Sequence, residues 1–184
     1  MHHTIKLIFR ACFAAVIFTV TAALLLTCFS KAYEIAQAQQ NFAQAKKTHL
    51  QSTAQEQLVL LSNNQKPDQA VYVAIAQNGY IAKTACRHYP EICLDEYNQQ
   101  QTRQVQNIDL IKAGNFHYIQ NVQYTDSRTQ RSQRLSYTPE QIQQFYLQDV
   151  ADLKYAVFGV GLFALAALFV SFRILRNFKK FLNK

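Results

Sequence analysis

The 11 acidic residues of this chain all lie between Glu34 and Asp152. Outside that stretch, past two uncharged apolar runs, the only charged side chains are lysines and arginines. The first run, Ala11–Phe29, holds 19 residues and the second, Tyr155–Phe172, holds 18, each close to the roughly 20 that a helix needs to cross a bilayer. Two such runs at the ends predict two membrane spans with one water-facing domain between them. The expected organisation is a tail over 1–10, a span over 11–29, an α+β domain over 30–154, a second span over 155–172 and a basic tail over 173–184.

Charge then predicts orientation. Lys6 and Arg10 precede the first run, and Arg173, Arg176, Lys179, Lys180 and Lys184 follow the second, with no acid among them. Short flanks rich in Lys and Arg stay cytoplasmic during insertion. The expected placement is therefore a bacterial inner membrane crossed twice, both termini cytoplasmic and the central domain periplasmic. A formal charge of +8 would otherwise suggest a nucleic-acid partner, but the excess sits where anionic headgroups attract it, so none is expected. A rival reading makes the first run a cleaved secretory signal, with Ser30-Lys31-Ala32 as the cleavage site or Leu25-Leu26-Thr27-Cys28 as a lipobox. The run is long for a signal core, and the second span would tether the domain in either case.

Cys12 and Cys28 fall within the first run, where a thiol behaves as a small hydrophobe. Cys86 and Cys93 form the one pair in the domain, with Pro90 between them. On an oxidising face they are expected to form a disulfide. A metal site using Cys86, His88 and Cys93, or a pair of free thiols, is the alternative, although neither usual zinc spacing occurs.

Glycine and proline are sparse enough to punctuate the chain. Lys31 to about Asn63 contains neither, and Ile35, Ala38, Phe42, Ala45, His49 and Ser52 recur at heptad-like spacing, which predicts one helix continuing out of the first span. After Pro67 the period changes to two, with Val71, Val73 and Ile75 opposite Tyr72, Ala74 and Ala76, the pattern of a strand. Asn78-Gly79 predicts a two-residue hairpin turn with Ile81–Ala85 returning. A second hairpin is expected around Gly114-Asn115, joining Ile108–Ile111 to Phe116–Tyr124. The polar stretch Leu94–Val105 reads as helix, residues 126–134 as loop and Leu135–Tyr137 as a short last strand. Thr138, Pro139 and Gln141 then form a capping box, opening a helix that runs on into the second span. The expected fold is a small antiparallel sheet of two hairpins packed on long helices that continue into the membrane.

Small side chains at Ala11, Ala15, Thr19, Ala23 and Thr27, and at Ala156, Gly159 and Ala166, are candidates for close helix packing in lipid, within the chain or with a partner. No ionisable residue sits near the centre of either run, which argues against ion transport. Among soluble residues no phosphate loop, nucleophile elbow or zinc-protease motif occurs. His49, His88 and His117 sit in no recognisable motif, so no enzyme activity, cofactor or metal is expected. Arg128, Arg131 and Arg134 could form an anion- or partner-binding edge, or a solvated loop. Phe116, Tyr118, Tyr124 and Tyr137 suit a strand core first and a contact surface second. The glutamine runs are assigned no role.

In element order the chain resembles the small extracytoplasmic domains of bacterial membrane sensors, where a helix from the first span leads into a PAS- or Cache-like sheet. Val73-Ala-Ile-Ala-Gln-Asn-Gly79-Tyr-Ile-Ala resembles a sensor strand and turn. The resemblance implies a receptor subunit for a small ligand, signalling through a separate protein because about a dozen residues follow the second span. The leading expectation is different: a non-enzymatic membrane protein whose domain binds another envelope protein, or a second copy of itself, as an accessory subunit, inhibitor or immunity factor. An exposed apolar patch or free sheet edge would favour the second reading, and a concave pocket with converging polar groups the first.

Overall fold

The computed structural model describes residues 2–64, 69–93, 101–126 and 130–178. It is an α+β structure with two long apolar helices at the ends and an antiparallel sheet between. The chain divides into two compact units, residues 1–37 with 149–184, and residues 38–148.

The first unit is made of α1 (His2–Ala36) and most of α4 (Pro139–Arg176). Both helices are long and apolar enough to cross a membrane. Their outward side chains are large and apolar, with Phe29, Phe158 and Phe163 more than 70% exposed. The helices meet along a heptad seam. On α1 it runs through Ala14, Ile17, Thr21, Leu24 and Cys28, and on α4 through Val157, Val160, Ala164, Ala167, Ser171 and Ile174, all buried or partly buried. Spacings of three and four keep such a seam on one face along the whole contact. Within it the hydroxyls of Thr21 and Ser171 lie 2.9 Å apart, and Thr21 also donates to the Ile17 carbonyl at 2.7 Å.

In the second unit, α2 (Ala38–Ala43) is followed by β1 (Lys46–Gln51), β2 (Leu58–Asn63), β3 (Ala70–Ile75) and β4 (Gly79–Ala85). A turn of 3-10 helix at Cys86–His88 and the short α3 (Pro90–Cys93) lead to β5 (Gln101–Ala113), β6 (Phe116–Asp126) and β7 (Ser132–Ser136). The described strands form one antiparallel sheet in the order β4-β3-β2-β5-β6-β7, with β1 also on β5. The 13-residue β5 has two neighbours on one side: Gln101–Val105 pair with β2 and Asn107–Lys112 with β1.

Two expectations are corrected here. The breaker-free stretch after Lys31 is not one helix, because 46–51 and 58–63 are strands. Their turn is built from hydroxyls rather than Gly or Pro: Thr53 Oγ1 accepts from the Glu56 N–H at 3.0 Å, and Ser52 Oγ accepts from the Leu58 N–H at 3.0 Å, the local side-chain bonding that competes with helix. Likewise Gln101–Val105 is strand, not helix, because it completes β5 against β2. Residues 94–100, the rest of that expected helix, lie outside the described residues.

Both hairpins are present. In the first, the Asn78 N–H bonds the Ile75 carbonyl at 3.1 Å and Gln77 takes a φ of 71°, the third-position signature of a type II turn. The loop is thus three residues, with Gln77 and Gly79 at positive φ rather than Asn78. In the second, Gly114 takes φ 56° and Ala113 faces Phe116 across a two-residue loop, the arrangement with glycine first in a primed turn.

The core fills one face of the sheet with Leu58, Leu60, Val71, Val73, Ile108 and Val122, all nearly inaccessible. It is closed by the Cys86–Cys93 segment and by the start of α4, whose Ile142 and Tyr146 are fully buried. The capping box forms: the Thr138 N–H donates to Gln141 Oε1 at 2.9 Å and the Gln141 N–H to Thr138 Oγ1 at 3.3 Å.

Interhelical hydroxyl bonds in membranes average about 0.6 kcal/mol by double-mutant cycle. A cycle of Thr21→Val and Ser171→Ala, read by reversible unfolding of the full chain in detergent micelles, is expected to give a coupling of about that size. Strictly additive losses would mean the two helices do not meet at this pair.

Candidate functional site

Cys86 and Cys93 are joined by a disulfide, with Cα atoms 5.6 Å apart. The bond uses both thiols, which removes the alternative metal site with His88. Among the described residues no group of three His, Cys, Asp or Glu side chains is placed to hold a metal ion. The bridge instead frames Tyr89, which is fully buried. Its hydroxyl donates to the Ile119 carbonyl at 3.2 Å and accepts from the Ile119 N–H at 2.7 Å. Ile119 lies past the last β6–β7 pair, Asn121–Ser136, so Tyr89 satisfies backbone groups that β7 does not reach.

Around Tyr89 the aromatic rings of the second unit gather. His88 stacks on Phe145 with centroids 4.5 Å apart, and Tyr137 and Phe145 meet Tyr89 edge-on at 5.2 and 5.9 Å. Tyr118 and Tyr124 are buried core residues and Phe116 packs on Tyr146. The Tyr137 hydroxyl donates to Glu91 Oε2 at 3.1 Å. Burial, then the Glu91 carboxylate, hold that phenol protonated well above its ordinary range. The rings of this cluster pack on one another.

The opposite face of the sheet is open, and its two halves differ in chemistry. Across β1, β5, β6 and β7 run polar rows. His49 Nδ1 lies 2.7 Å from Asp109 Oδ1, Asn121 Nδ2 donates to Asp109 Oδ2 at 2.8 Å, and Ser136 Oγ donates to Asn121 Oδ1 at 2.6 Å. Asn121 and then His49 hold the Asp109 carboxyl below its ordinary value. In the next row Asn107 Nδ2 donates to Gln123 Oε1 at 3.3 Å. The first row contains serine, carboxylate and imidazole, but the serine bonds the amide rather than the histidine, so it is not a nucleophile–base pair. Further along, burial and then Lys112, its cross-strand partner, lower the His117 pKa.

Across β2, β3 and β4 the same face is apolar. Val59, Leu61, Tyr72, Ala74, Ile75 and Tyr80 line a shallow concavity of about 490 Å³. Tyr80 is 72% exposed and meets Tyr72 edge-on at 5.9 Å. Lys83 Nζ sits 5.6 Å from the Tyr72 ring centre. Among the described residues β4 pairs only with β3; part of it lies close to β6, without a ladder between them. Leu61 and Ile81 are also exposed. The sequence pattern puts Tyr72 and Ala74 on the second face of a strand but does not assemble this surface, because Leu58–Asn63 lies in a stretch without glycine or proline that reads as helix. The available signal was Leu58-Val-Leu-Leu61, apolar on both faces of what is now β2.

The remaining site candidates are scattered. Arg134 lies on β7 opposite Gln123 and Arg131 precedes that strand, both exposed, while Arg128 lies outside the described residues. Neither arginine lines the apolar concavity. Ala11, Ala15, Thr19, Ala23 and Thr27 are all exposed on α1, off the seam, and the Thr19 and Thr27 hydroxyls donate back to the Ala15 and Ala23 carbonyls. Gly159 is partly buried and Ala166 exposed. Comparison with protein-family models, with curated proteins and with solved structures finds no match to this chain.

The Asp109 carboxyl is lowered on folding, so it adds stability that is fully present above its unfolded value, near 3.8, and lost as pH falls through the folded value. Asp109→Asn is expected to flatten the acid limb of a stability–pH curve; an unchanged acid limb would remove Asp109 as its source. His117 has the opposite protonation sense: its folded pKa lies below 6.5, so folding disfavours its cation and stability falls as pH drops through 6.5. In a proton NMR titration Lys112→Gln should raise the His117 midpoint; an unmoved midpoint would rule out the lysine's influence.

Proposed function

We propose that this chain is a non-enzymatic, two-pass inner-membrane protein whose central domain stands in the periplasm and binds another envelope protein, as an accessory subunit, inhibitor or immunity factor. The observation that carries the reading is the apolar concavity on β2–β4 beside the unladdered edge of β4. Open tyrosine, leucine and valine side chains on a concave sheet face give a partner apolar surface to bury, and an edge strand beside them offers main-chain hydrogen bonds as well as side-chain sites.

Supporting features point the same way. The tails carry only basic charge, which favours their cytoplasmic retention. A disulfide closing a short loop persists in an oxidising compartment. Two helices fit a double crossing.

The test is in-cell photocrosslinking from Tyr80 and Leu61, with Ser136 on the polar half as the control position, followed by mass spectrometry. One dominant envelope protein captured from the first two positions and not from the third is the expected result. Capture of this chain alone would make the surface a self-association face, and no product would remove the reading. Orientation is checked separately by labelling Asn78→Cys with a membrane-impermeant maleimide, which should react from the periplasmic side in cells whose inner membrane is intact.

A further inference from the structure

Where β5 changes partner from β2 to β1, the sheet opens into a second cleft of about 480 Å³. Its position follows from a bulge. Val105 pairs with Tyr124 and Asn107 with Gln123, so Gln106 is an extra residue in β5 that faces no β6 partner. Bulges of this kind re-aim side chains and recur beside binding sites. The walls carry the amides of Gln51, Gln57, Gln104, Gln106 and Asn107, together with hydroxyls of the 52–53 turn and Thr125. None of the lining residues is charged.

The backbone around this cleft is already paired. The Ser52 N–H bonds the Gln106 carbonyl at 2.9 Å, the Ala76 N–H bonds the Gln57 carbonyl at 2.8 Å, and the Leu58 N–H bonds Ser52 Oγ. A peptide strand would therefore find no open ladder here. The glutamine side chains are another matter: those of Gln51, Gln57, Gln104 and Gln106 have no hydrogen bond or ion pair within the described protein. Each offers two donors and an acceptor oxygen. A charged ligand would meet no counter-charge in this cleft, and an apolar one would strip water from amides without replacing their hydrogen bonds. Ligands that match are uncharged and carry many hydroxyl or acetamido groups, each able to donate and accept. From Asn107 the hydrogen-bonded row continues to Gln123 on the open face, which extends the polar track beyond the cleft.

We infer that the cleft at the β1–β2 fork binds a neutral glycan chain, held by glutamine amides. This site is separate from the β2–β4 surface and stands or falls independently of it.

The full-length protein in lipid nanodiscs, free of glycoside detergents, is probed by saturation-transfer NMR. The ligands are chitotetraose, cellotetraose and, as the charged comparison, tetragalacturonate, each at about 1 mM. Transfer to at least one neutral sugar is expected, weakened about tenfold or more in Gln57→Ala/Gln104→Ala and retained in Tyr80→Ser. Because the side chains of these glutamines make no internal bonds, the double variant should keep the parent's melting temperature, which separates lost binding from lost folding. No transfer to either neutral sugar, equal transfer in the double variant, or stronger transfer to tetragalacturonate would overturn the inference.

Discussion

β5 has to serve three neighbours at once. It pairs with β6 from Arg103 to Ala113, and on its other side it gives its first residues to β2 and its later ones to β1. Side chains alternate along a regular strand, and the extra residue Gln106 shifts that alternation where the partner changes: Arg103 and Val105 are buried before it, Ile108 and Leu110 after it, so the parity of the inward set changes from odd to even. The polar cleft lies at that insertion.

The second constraint is the short covalent loop beneath the sheet. The Cys86–Cys93 bridge holds Tyr89 under β6, where its hydroxyl replaces the strand partner that Ile119 lacks. Rings from α4 and the end of β7 then pack on Tyr89. Hydrophobic burial is non-directional, whereas a doubly bonded buried hydroxyl has a defined geometry. In this way one phenol sets the position of the helical cover on the sheet. With one face covered, the other is left open, apolar over β2–β4 and amide-rich over β1, β5, β6 and β7.

Features carried by local chemistry were legible. The capping box at Thr138–Gln141 depends on side chains three residues apart, the second hairpin turn depends on Gly114, and the cysteine pair lies seven apart; each appears where the residues indicate it. The helix misreading over 46–63 has a different origin. That segment lacks glycine and proline, and its turn relies on Ser52 and Thr53 hydroxyls, which give a weak signal. β1 itself, Lys46-Lys47-Thr48-His49-Leu50-Gln51, has little intrinsic strand character, and its ladder with β5 supplies what its composition does not. Tertiary pairing overrides propensity in such cases.

The two long helices show the same division. Uncharged runs bounded by basic residues determined from sequence alone that the ends are apolar helices, because a bilayer-length run without charge has few other folds. Which face of each helix meets the other was decided only by packing: the regular strip at Ala11, Ala15, Thr19, Ala23 and Thr27 faces outward, and the seam through Thr21 and Ser171 is the one that forms. Sequence likewise determined an α+β domain, its hairpins and its cysteine pair, all of which depend on neighbours close along the chain. The forked sheet, the buried Tyr89 bridge, the apolar concavity and the glutamine cleft join residues tens of positions apart, and strand register across such distances is set by the fit of the whole core.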